Sequence, residues 1–266
     1  MNSKRPVFYT ILGLFFCCFL VGMTEIANAA LEDFCAGYQS CNQATIEWNN
    51  ITTPAGLDIY NSWSGSWGGW GSDADNISHT VHDYSESTSG SDGIVDTYAS
   101  AFPGSPTIKV WASTNEIDIA SKAGASADSG PAYAYSGAMR SIMYYAPDAG
   151  TMTFTVPYSF SQSIENSQDD LYGYVRAWAW IQFYNTAAEE WQRVVEVIRE
   201  HELTSGDYEE GPENMNLSVD VYAGQYFKFE LGTDAVASAA PVPVPSAVLL
   251  LGSGMVGMLI IGRRRR

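Results

Sequence analysis

Alternation with a period of two dominates the middle of the chain. In TMTFTVPYSF, Met152, Phe154, Val156, Tyr158 and Phe160 point one way and Thr151, Thr153 and Thr155 the other. That is a half-buried strand, bent or at a sheet edge near Pro157. In YGYVRAWAWIQFY, Val175, Ala177, Ala179, Ile181 and Phe183 form one face. Tyr174, Arg176, Trp178, Trp180 and Gln182 form an aromatic, semipolar second face, with Trp178 and Trp180 expected to pack against a second sheet. LSVDVYAGQYFKFEL reads as a hairpin: Leu217, Val219 and Val221 make one inward row, Phe227, Phe229 and Leu231 the other, and Ala223-Gly224-Gln225 the turn.

Two stretches are less regular. In EEWQRVVEVIREHEL, Trp191, Val194, Val195 and Ile198 fit helical spacing, but the β-branched residues and the preceding Asn185-Thr186 turn favour a strand paired with Val175 to Tyr184. Gly71 to Gly93, polar and rich in Gly and Ser, predicts a long loop. Together these segments predict an all-β domain over residues 30–235, an antiparallel two-sheet β-sandwich of the jelly-roll kind.

The ends depart from this pattern. Lys4 and Arg5 precede the apolar run Val7 to Met23, and Ala27-Asn28-Ala29 supplies the small-x-small site of a signal peptidase, so residues 1–29 read as a helical export signal cleaved after Ala29. An uncleaved N-terminal anchor is the alternative, since 17 apolar residues nearly span a bilayer. Residues 236–245 form an Ala/Pro linker, and 246–266 a transmembrane helix with an arginine-rich tail. The charge-free stretch Ser246 to Ile261 would be about 24 Å long as a helix, short of the ~30 Å hydrocarbon core by an amount that snorkelling arginines absorb. Arg263, Arg264, Arg265 and Arg266 place the C-terminus in the cytoplasm and the body on the opposite side.

Charge narrows the function. From Ala30 to Ala240 the chain has 7 Lys and Arg against 29 Asp and Glu, a net of −22, which repels phosphate backbones and excludes nucleic acid as a partner. Cys35 and Cys41, the two cysteines beyond the signal, predict a local disulfide in an exported protein.

Val242-Pro243-Val244-Pro245, then the glycine-rich apolar stretch, then the four arginines, resemble the PEP-CTERM sorting signal in its V-P-x-P variant, with Val244 where the commonest form has Glu. The resemblance covers Pro241 to Arg266. It implies recognition by an exosortase, transient residence in the inner membrane, processing near the proline motif, and delivery to the cell surface or exopolysaccharide matrix.

Candidate chemistry in the body is sparse. Trp63, Trp67 and Trp70 sit among small residues and offer rings for stacking on sugars, unless they plug the core. Asp73, Asp75 and Asn76 offer oxygens to Ca2+, or form a solvated turn; no other cofactor or metal is expected. His79 and His82 lack the third ligand and base of a zinc site and fall in the expected loop, and His201 reads as an exposed residue of a charged face. Glu189-Glu190, Asp169-Asp170 and Glu209-Glu210 are chain neighbours, whereas glycosidase acids face each other across a cleft. The expectation is a non-enzymatic structural or adhesive protein associated with polysaccharide; the alternative is a secreted carbohydrate-binding or carbohydrate-active enzyme on the same sandwich.

Overall fold

The computed structural model describes residues 38–71, 77–87, 97–101, 108–115, 117–126, 131–165 and 171–239. They form twelve strands and one 3-10 turn, Trp48–Asn50. In chain order the strands are β1 (Ser40–Ile46), β2 (Asp58–Gly71), β3 (Ile77–Ser87), β4 (Thr97–Ala101), β5 (Ile108–Thr114) and β6 (Ile119–Ala125). They continue with β7 (Ala132–Ala146), β8 (Gly150–Ile164), β9 (Tyr172–Asn185), β10 (Glu190–Leu203), β11 (Gly206–Val221) and β12 (Gln225–Ala239).

Two antiparallel six-stranded sheets result. Sheet A runs β11-β8-β1-β6-β5-β4 and sheet B β10-β9-β12-β7-β2-β3. They pack face to face, β12 against β6 and β1, and β7 against β5 and β6. The pairing is nested: β9 with β10, β8 with β11 and β7 with β12, each wider pair falling in the other sheet, while β6 and β8 flank β1. The protein is a β-sandwich.

Hydrophobic alternation explains which side chains meet in the middle. Phe154 of β8 stacks on Phe229 of β12 at 4.4 Å between ring centres, with Tyr144 and Phe227 beside them. Each buried ring contributes roughly 1.5–3 kcal/mol. Toward the start of β1 and the end of β12, small side chains line the core, among them Ala123, Ala125, Ala134, Ala235 and Ala237. The Ser40 hydroxyl donates to the Tyr172 carbonyl at 2.8 Å, and Tyr172 pairs with Ser238, so β1 begins where β12 ends.

Four expectations change. The predicted hairpin Leu217 to Leu231 is an arch: β11 pairs with β8 in sheet A, and β12 with β7 and β9 in sheet B. Both rows are buried as expected, because a core between two sheets accepts an inward row from either side. The predicted loop Gly71 to Gly93 contains β3, paired along β2. Pro157 is interior: its carbonyl accepts from the Glu47 N–H at 3.1 Å where β1 gives way to the 3-10 turn, which is where a residue without an N–H fits. Trp178 and Trp180 face away from sheet A, because the opposite row, Val175 to Ile181, fills the core. Residues 190–203 are the strand the β-branched pattern favoured, with Val175 opposite His201 and Tyr184 opposite Trp191.

Candidate ligand face on sheet B

The outward positions of sheet B carry the aromatic side chains that strand alternation keeps out of the core. Three glycines let these rings lie flat. A Cβ on Gly137 or Gly232 would sit 2.5 Å from the indole of Trp67 or Trp178, and one on Gly69 equally close to the Tyr135 ring; Gly65 lies on the same outward row. A glycine inside a strand commonly marks such a close approach.

Beside Gly232 the rings form a ladder. Trp178 and Trp180 stack with centres 3.8 Å apart and planes 11° from parallel, and the Arg193 guanidinium lies 3.7 Å from the Trp180 ring centre. Such a cation over an indole contributes about 0.5–1 kcal/mol or more when desolvated. Arg193 also pairs with Glu196. The indole N–H groups are anchored on β12: Trp178 Nε1 donates to Asp234 Oδ2 at 3.2 Å, and Trp180 Nε1 and Gln182 Nε2 donate to Glu230 Oε2. Asp234 Oδ2 also accepts from Arg176 Nε at 2.9 Å and its terminal nitrogen at 2.7 Å. Among the described residues, Asp234 Oδ1 and Glu230 Oε1 accept no hydrogen bond. The face therefore combines fixed apolar rings with open carboxylate oxygens and an amide, the groups that hold a ligand with apolar planes and hydroxyls.

The tryptophans singled out in β2 do not share one surface. Trp63 and Trp67 point outward, opposite Ser141 and Gly137 of β7. Trp70 points inward, packs on the core and stacks on His79 at 5.1 Å. His79 and His82 lie on β3 rather than in a loop, His82 opposite Trp67. Cys41 is buried and disulfide-bonded. Cys35, Ala27, Ala29, Asp73, Asp75, Asn76, Val242 to Pro245 and Arg263 to Arg266 lie outside the described residues. Among the described residues, no group of three or more His, Cys, Asp and Glu is arranged to hold a metal ion, and no helix is long and apolar enough to cross a membrane.

Sequence reasoning missed a polar seam where β10 and β11, the edges of the two sheets, meet. His201 is half-buried rather than exposed, because β10 turns it inward opposite Val175. Its ring stacks on Tyr208 at 3.5 Å, and Nδ1 meets Gln162 Oε1 at 2.7 Å. Gln162 donates to Asn42, Asn42 to Ser40, and Ser40 to the Tyr172 carbonyl, so the run is directional and His201 Nδ1 carries its proton. Glu210 accepts from Tyr158 at 2.6 Å and from Tyr208 at 2.5 Å. Those two hydrogen bonds hold its carboxyl below the usual carboxylate range, and the Glu210 hydrogen bond followed by burial pushes Tyr208 up to about 12. Burial, then Glu210, raises Tyr158 as well. Tyr208 and Glu210, two residues apart on β11, were legible as a same-side pair, but their partners on β8 and β10 were not.

No protein family matches the chain, and no curated protein is significantly similar to it.

Proposed function

We propose that this is an exported bacterial protein, sorted by an exosortase through its C-terminal segment and delivered to the cell surface or exopolysaccharide matrix, where its body associates with polysaccharide without catalysing a reaction. The sorting half rests on the order of parts from Pro241 to Arg266: proline motif, apolar glycine-rich stretch, four arginines. The observation that supports the binding half is the aromatic outer face of sheet B, on which Tyr60, Tyr184 and Tyr226 are about half exposed.

The same face supports a non-enzymatic reading. Glu230 and Asp234 are four residues apart on β12, about 13 Å along the strand. Glycosidase carboxyls stand roughly 5–9.5 Å apart. Asp234 is also tied to Arg176. The nested strand pairing supports a jelly roll, with β1 in the position of its eighth strand and β2 to β5 extending both sheets on one side.

Expression in cells with and without the cognate exosortase tests the sorting half. Processing gives a smaller, membrane-released product only where the enzyme is present. Identical mass and membrane retention in both strains would refute it.

A further inference from the structure

The outer face of sheet B holds a second aromatic feature, distinct from the Trp178 ladder. Cross-strand register places Trp191 of β10 opposite Tyr184 of β9, and Tyr226 of β12 opposite Tyr145 of β7. Phe227 pairs with Phe183, which sets Tyr226 beside Tyr184, and Tyr60 occupies the irregular position of β2 between Ile59 and Asn61. The rings meet in two groups along this line: Trp191 with Tyr184 at 5.5 Å, and Tyr226 with Tyr145 at 5.0 Å and with Tyr60 at 5.2 Å. None of these contacts is a face-to-face stack, so the rings do not cover one another as Trp178 and Trp180 do. Tyr60, Tyr184 and Tyr226 are 56%, 47% and 44% exposed. One aromatic on each of five adjacent strands makes a strip about 19 Å long at the usual strand spacing. Clustered exposed aromatic surface of this kind marks an interaction site.

Its position and surroundings select the occupant. Tyr226 lies at the start of β12 and Ala239 at its end, so the strip is about 45 Å along the sheet from the point where the chain leaves toward its apolar tail. With a net charge of −22 between Ala30 and Ala240, a polyanion or a second copy of this chain is repelled. Near the strip stand the Lys228 ammonium, 4.7 Å over the Trp191 ring, and the Asn185 and Gln192 amides, bonded to each other at 3.0 Å. These groups suit hydroxyls, and the rings suit the apolar planes of sugar rings. A contact repeated on strand after strand suits a repeating ligand rather than a chain end.

We propose that the strip Trp191, Tyr184, Tyr226, Tyr145 and Tyr60 binds the interior of a neutral polysaccharide chain laid across the strands. This rests on the polysaccharide-associated reading above and names its site and ligand class.

The test uses the full chain in detergent solution, sedimented with insoluble cellulose, β-1,3-glucan, α-glucan and chitin, with a soluble polyuronate as the anionic contrast. Binding to at least one neutral polymer and none to the polyuronate is expected. Tyr184→Ala with Tyr226→Ala should weaken it about tenfold or more with unchanged thermal unfolding. Tyr226→Phe, which keeps the ring, should bind like the native protein. Nitration of Tyr60, Tyr184 and Tyr226 by tetranitromethane, mapped by peptide mass, gives a readout free of folding effects: bound polymer should slow it at all three. Undiminished nitration, or binding that survives the double substitution, would overturn the strip while leaving polysaccharide association intact. Preference for the polyuronate would overturn the neutral ligand class. Binding to none of the polymers would remove strip and polysaccharide association together, while sorting, read from mass and fractionation, would stand.

Discussion

The outer side of the β8–β11 pair in sheet A and the outer face of sheet B obey the same alternation and carry different groups, although elsewhere on sheet A Lys122 lies over Trp111 and Tyr38 packs on Gly124. On sheet A, β8 and β11 pair small polar groups: Thr151 with Asp220 at 2.6 Å, Thr153 with Ser218 at 3.0 Å, Thr155 with Asn216 at 2.9 Å, and Ser163 with Asp207 at 2.8 Å. These bonds stay within the face. On sheet B the equivalent positions hold rings laid on glycines, indoles tied to carboxylates, and cations over indoles. The core asks the same of both sheets, so it cannot account for the difference. Under the proposed function, the outward aromatics are what the polysaccharide meets.

The largest expected break in this contrast is Trp178→Ala. Although outward, Trp178 is 4% exposed, packed on Gly232 and bonded to Asp234. Its loss should cost about 3–5 kcal/mol, a fall in Tm of roughly 10 °C by calorimetry. An outward residue of sheet A such as Thr153 changed to Ala should cost under about 0.5 kcal/mol.

Next come the glycines. Gly232→Ala puts a methyl 2.5 Å from the Trp178 ring and 2.6 Å from the Ala138 carbonyl oxygen, and should cost about 1–3 kcal/mol in denaturant titration. Gly150→Ala at the start of β8 meets nothing within 4 Å and should stay within about 0.5 kcal/mol of the native protein. Equal effects at the two sites would show that the close approach to Trp178 does not set the cost at Gly232.

The seam joining the sheets should respond to pH. Glu210 is held below its ordinary value of 4.5, so its contribution is present above that pH and fades as pH falls through the folded value. Tyr158 and Tyr208 are raised from 10, so their contribution is full below pH 10 and fades as pH rises through their folded values, for Tyr208 about 12. Thermal unfolding against pH should show both limbs, and Glu210→Gln should flatten the acid one. A similarly small effect belongs to Thr151→Val, which removes one exposed hydrogen bond to Asp220 and should cost about 0.5 kcal/mol. A cost several times larger would mean that the polar face is as tightly built as the aromatic one.

Much of the fold was legible in the chain. Phe154, Val156 and Tyr158, like Val175, Ala177 and Ala179, are buried where their period of two put them. Strand character at Glu190–Leu203 followed from Val194, Val195 and Val197, and the turn before it from Asn185, whose side chain accepts from the Ala187 and Ala188 N–H groups. The candidate site was half legible. Trp178 and Trp180 were visible as a same-side pair, but their outward direction was not, because aromatic residues are common inside as well as outside. Trp70 shows the converse: it stands near Trp63 and Trp67 in sequence and on the other side of the sheet.

By itself the sequence determined which side chains lie together on each strand, since alternation is a local property of extended backbone. It also carried the acidic charge, a net of −22 between Ala30 and Ala240. Only the tertiary structure decided that β11 and β12 part into different sheets, that His201 turns inward onto Tyr208, and that five aromatics from five strands fall on one line. Pairing and register join residues far apart in the chain. They are set by how two inward rows fill a common core, which no single segment encodes.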